Sequence, residues 1–136
     1  MPSTARTTKC GAKEARERLK IANAYLLAAD LAISDDREEY AGVAAGNAVL
    51  AGIAAADAMC CKGLGMCSRD QDHRQAAELL ASSSAGGPTH QKTLIRLLNL
   101  KDAAHYGFGG FSRIDAKKAI VLARKLVAGA DELLQS

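Results

Sequence analysis

The stretch from about Glu39 to Leu64 limits the fold more than any other. Between Ala41 and Cys61 only Asn47 and Asp57 interrupt its apolar run. The length would admit a membrane span, but the run is mostly Ala and Gly, which gain little from lipid. Asp57 would add roughly 2.5–3.5 kcal/mol of insertion cost near a bilayer centre. The segment therefore reads as a central helix buried on most sides of a bundle. Gly42, Gly46 and Gly52 would let neighbouring backbones approach it closely, at a cost in helix propensity. Asn47 and Asp57 then need hydrogen-bond partners, and Lys101 or a backbone amide is the candidate for Asp57.

The rest of the chain supplies the cover. Residues 1–11 read as a flexible leader, and residues 12–136 as one helical-bundle domain. From Ala12 to about Ile33, Ala15, Leu19, Ala22, Leu26 and Ala29 recur at helical steps. Ser34, Asp35 and Asp36 end that helix and cap the next. Gly63 and Gly65 break the central helix. Ser68 and Gln71 have capping-box spacing before a short helix to about Ser82. The segment from Ser82 to Pro88 is a loop, and a helix follows from about Thr89 to Tyr106. Ser112 and Asp115 repeat the cap spacing. The last helix carries Ala116, Ile120, Ala123, Val127, Ala130 and Leu134 on one seam, with its charges opposite. No strand pattern survives the alanine content. The fold class is all-α, an antiparallel bundle of four to five helices.

Charge and cysteine usage narrow the function classes. Eighteen basic residues against 15 acidic ones leave +3, too mild for obligate tight nucleic-acid binding but compatible with a local basic face. No apolar run follows the first basic residues, so no signal peptide is read. Cys10, Cys60, Cys61 and Cys67 do not suggest a disulfide framework, and they read as reduced thiols in a cytoplasmic protein. A metal site from Cys60, Cys67 and His73 misses the usual zinc spacings, so no metal and no cofactor is expected.

The chemistry concentrates between Leu94 and Gly110, with three of the five aromatics, Tyr106, Phe108 and Phe111, in or beside it. Lys101 and His105 lie four residues apart and share a helix face, with Asp102 beside them and Tyr106 following. An imidazole is the natural base near neutral pH, and a neighbouring cation could hold a phosphate. Gly107, Gly109 and Gly110 free the backbone for a sharp turn. Phe108 and Phe111 either stack bases or plug the bundle end. Asp57, Arg69 and His73 join Tyr106 and Phe108 as candidate binding residues.

Two stretches resemble the HEPN superfamily, helical-bundle domains of prokaryotic toxins and RNA-processing systems. One runs from Gly46-Asn47-Ala48-Val49-Leu50 through Ala76-Ala77-Glu78-Leu79-Leu80. The other is Leu97-Leu98-Asn99-Leu100-Lys101-Asp102-Ala103-Ala104-His105-Tyr106-Gly107, which is similar to the fourth helix of the family, most nearly in a small stand-alone, actinobacterial-type branch. Family ribonucleases pair an Arg with a later His across a homodimer. That resemblance places Lys101 at the Arg position, Asp102 after it and His105 at the His position. Lys lacks the planar fork that grips phosphate, and the spacing is one residue short, as it is for Arg69 and His73. What the resemblance implies is a non-catalytic binding or regulatory module of a toxin–antitoxin or defence system. It would be homodimeric and not membrane-bound, with RNA, a nucleotide or a cognate antitoxin protein as partner. The alternatives are a metal-independent ribonuclease with His105 as base, and a structural oligomerisation bundle.

Overall fold

Burial decides the role of the central segment. In the computed structural model, which describes residues 6–69, 73–106 (backbone alone for 104–106) and 110–136, it is one helix, α2 (Glu39–Leu64). Ala44, Ala45, Ala48, Ala51, Ala55, Ala58 and Met59 on it are all buried. The helix is long and apolar enough to cross a membrane, yet 72% of its most apolar window is covered inside the protein. Four other helices provide that cover: α1 (Ala12–Ile33), α3 (His73–Ala81), α4 (Gly87–Tyr106) and α5 (Arg113–Gln135). The all-α bundle follows from these five, and their limits lie close to those the apolar periodicity predicts.

Each helix buries the stripe its sequence marks. On α1 these are Ala15, Ala22, Leu26 and Ala29; on α5, Ala116, Ile120, Ala123, Leu126, Val127 and Ala130. Because alanine brings helices close, the one large cluster interleaves them with Leu94, Leu97 and Leu98 from α4. Gly52 lies where α4 and α5 both press on α2: an added Cβ would fall 2.5 Å from Leu97 Cδ2 and 3.2 Å from Leu126 Cδ1. Gly42 and Gly46 differ from expectation. Both are exposed, with nothing within 4 Å of an added Cβ, so they mediate no close approach. Arg18 near the start of α1 meets Asp57 near the end of α2, so these two helices run antiparallel. His90 packs on Gly129, and α4 and α5 are likewise antiparallel.

The ends show which local signals work. Ser112 caps α5 as expected, its hydroxyl accepting from the Asp115 amide at 3.0 Å. Asp35 does not cap α2. It accepts instead from the Arg37 amide at 2.9 Å and from the Arg37 guanidinium, tightening the turn before the helix. Arg113 ties the start of α5 to that same turn, donating to the carbonyls of Asp35 at 2.9 Å and Ile33 at 3.0 Å. Gly65 closes α2 in a left-handed conformation at φ +71°, its amide donating to the Cys61 carbonyl.

Two expectations fail at the amino end. Thr7–Lys9 is not part of a flexible leader but a strand, β1, paired antiparallel with β2 (Met66–Ser68). Cys10 is not a free thiol: it is disulfide-bonded to Cys61 across 51 residues, with 5.1 Å between Cα atoms. Both pairings join residues far apart in the chain, and a three-residue strand has too few positions to show alternation. Gln71 of the expected capping box lies outside the described residues. Ser68 sits in β2, where its hydroxyl meets the Gln75 side chain at 2.8 Å.

Candidate functional site

Asp57 is the one buried charged side chain among the described residues. A helix that carries almost nothing but alanine around it leaves its carboxylate little solvent, and burial is the largest influence on its proton affinity. The Arg18 guanidinium, 3.5 Å away, pulls in the opposite direction. Burial prevails, and the pKa rises from 3.8 to about 6. The cation that serves Asp57 is thus Arg18 of α1, and not Lys101 of α4.

Around Asp57 opens a cleft of about 200 Å³, lined by Arg18, Ile53, Ser68, Arg69, His73 and Ala76. α1, α2, β2 and the start of α3 each contribute to it. Three of the residues expected to bind, Asp57, Arg69 and His73, are therefore brought together. His73 is half-buried and opens α3, while Arg69 is exposed. A carboxyl whose pKa is raised to about 6, paired with Arg18 in a cleft that Arg69 and His73 also line, can exchange a proton with a small polar ligand. Arg18 completes this group and had no signal in the sequence, because it lies 39 residues from Asp57.

The Lys101 neighbourhood is arranged differently. Lys101 is exposed. Asp102 accepts from Arg74 of α3 at 2.7 Å, and the same guanidinium reaches Asn99 at 2.9 Å. This α3–α4 clip accounts for Asp102 as a surface ion pair, worth little on its own. The side chains of His105 and Tyr106, and Phe108 entirely, lie outside the described residues. Phe111 is half-buried and packs against the core.

A larger opening runs between α4 and α5. The groove has a volume of about 720 Å³, and its lining includes Arg96 and Leu100 from α4 with Ile114, Lys117, Lys118, Val121, Leu122 and Lys125 from α5. Ile114 and Val121 are 68% and 53% exposed, unusual for aliphatic side chains on a core helix. The cause is local: the outer face of α5 places Ile114, Lys117/Lys118, Val121 and Lys125 at successive helical turns. Among the described residues four cations line the groove and no carboxylate does. Periodicity alone assigned Lys117, Lys118 and Lys125 to a wet face, which they are. The aliphatic strip between them had no place in that reading.

The cysteines form a third cluster. Cys10, Cys61 and Cys67 have sulfurs within 4.8 Å of one another. This differs from the Cys60, Cys67 and His73 set weighed from spacing. Cys60 remains a buried free thiol whose pKa rises to about 12, first through burial and then through the nearby Asp57 and Cys67. Cys67 is also free and buried, and burial is the main cause of its raised pKa. Comparison with known proteins finds no matching family model, no similar curated protein and no similar solved structure.

Proposed function

We propose that the protein is a helical-bundle binding module that docks an acidic amphipathic helix of a partner protein in the α4/α5 groove. One observation carries this reading: exposed Ile114 and Val121, continuous with half-buried Leu100, are flanked by Arg96, Lys117, Lys118 and Lys125, with no acid among the described lining residues. Such a groove matches helix-in-groove recognition, in which apolar anchors recur every third or fourth residue. The cations steer and orient a partner whose opposite face is acidic. Among the described residues no aromatic side chain of the kind that stacks bases lines the groove. A regulatory partner of this kind accords with the HEPN resemblance and its toxin–antitoxin setting. Homodimerisation is a further part of that proposal.

The test uses two labelled probes, a designed acidic amphipathic peptide and a single-stranded RNA oligonucleotide, in fluorescence anisotropy. The peptide binds the wild type and loses at least about tenfold in affinity with Lys117→Glu/Lys125→Glu, a loss of about 1.4 kcal/mol. Val121→Asp weakens it without changing helicity. Preferential RNA binding that falls steeply with salt would replace the peptide reading with a nucleic-acid one. Binding unaffected by both variants would remove the groove from the function.

A further inference from the structure

The three-cysteine cluster stands apart from the groove, and its geometry is set by backbone. Cys61 lies in the last turn of α2, and its carbonyl accepts from Gly65, whose left-handed conformation sends the chain into β2. Cys67 is the middle residue of β2, opposite Thr8 of β1. Cys10 follows β1, and its amide donates to the Gly65 carbonyl at 3.0 Å. A helix end, a tight turn and a two-stranded ladder thus hold three sulfurs within 4.8 Å of one another. Tetrahedral zinc, with Zn–S bonds of about 2.3 Å, places its ligand sulfurs about 3.8 Å apart. On reduction the bonded sulfurs of Cys10 and Cys61 move apart to that spacing, and Cys67 needs to approach them by no more than about 1 Å. Cys61 and Cys67 are 3% and 5% exposed, as suits a water-excluding thiolate site.

We propose that reduction of the Cys10–Cys61 disulfide opens a binding site for a thiophilic divalent ion, Zn²⁺ being the natural occupant, formed by Cys10, Cys61 and Cys67. The oxidised protein withholds two of the three ligands, so redox state gates the site. A dithiol reductant takes the disulfide to two thiols and becomes a cyclic disulfide itself. The three thiols then release three protons to solvent as the metal–sulfur bonds form. A fourth position is left to water or an outside ligand. Because each thiol gives up its proton to bind the ion, binding strengthens as pH rises. In a reducing compartment, where such disulfides do not persist, the ion takes over the bridge between the amino-terminal strand and α2.

Co²⁺ is the probe, added to the full chain with and without prior reduction. The reduced protein binds one equivalent, with a thiolate-to-cobalt charge-transfer band in the near ultraviolet, and Zn²⁺ removes the band. The oxidised protein shows no band. Cys67→Ser keeps the disulfide, verified by thiol counting, and weakens Co²⁺ binding by more than the 10–100-fold typical of outer-shell changes. Cys60→Ala binds as the wild type does. Cys10→Ser, at the margin of the core, is the second ligand variant, and far-ultraviolet circular dichroism verifies helicity in each. No charge-transfer band in the reduced wild type would overturn the proposal. So would wild-type affinity in folded Cys67→Ser or Cys10→Ser, or loss of binding in folded Cys60→Ala.

Discussion

Asp57→Asn replaces the buried carboxylate with a neutral group of nearly the same shape, and its effect on stability depends on pH. The folded-state pKa is about 6 against 3.8 for an unburied aspartate. That gap of roughly two units, at 1.36 kcal/mol each, corresponds to about 3 kcal/mol. A raised pKa means that the folded state holds the proton more firmly than the unfolded chain. The resulting stabilisation is complete below pH 3.8 and is lost as pH rises through about 6. Asn never ionises and keeps what the wild type loses. Wild type and variant should therefore be equally stable near pH 3, and Asn should be the more stable by up to about 3 kcal/mol near pH 8. Urea unfolding across this range, with the disulfide intact in both proteins, measures the difference directly, and the other carboxylates cancel. A difference that does not vary with pH, or a wild type that gains on the variant as pH rises, would refute the reasoning. It would mean that the Arg18 pair, at 3.5 Å, outweighs burial.

Four further outcomes test the packing and the cross-link. Gly46→Ala on the open face of α2 should stabilise by about 0.5–1 kcal/mol in chemical denaturation. Gly63→Ala on the same helix should destabilise by about 1–3 kcal/mol, because an added Cβ would collide with the Ser83 carbonyl. Arg113→Ala removes hydrogen bonds to the Ile33 and Asp35 carbonyls and should lower stability by about 2 kcal/mol, read as a lower urea midpoint. Reducing Cys10–Cys61 under metal-free conditions frees a loop of 51 residues. By chain entropy that costs about 4 kcal/mol, measured as the difference in unfolding free energy with and without reductant.

The clearest sequence signals were local ones. The stripe on α1 and the heptad seam of α5 mark both helices within a residue or two, since each depends on neighbours three and four positions away. The cap at Ser112 was equally visible. The site residues were legible in type but not in grouping. Asp57, Arg69 and His73 stood out as candidates, yet the sequence offered Lys101 or a backbone amide to Asp57, and the fold pairs it with Arg18. Asp102, read as part of a catalytic turn, is held by Arg74. The disulfide and β1 were missed for the same reason, since their partners lie more than fifty residues further along the chain.

Alanine content and spacing alone therefore determined that this chain forms helices and that Glu39–Leu64 lies among them. Which side chains meet was decided only when the helices docked, at the end of α2 above all. There Arg18, Asp57 and three cysteines converge from separate segments. Periodicity is a property of one helix, whereas a cluster of charges or sulfurs depends on the rotation and depth at which several helices pack.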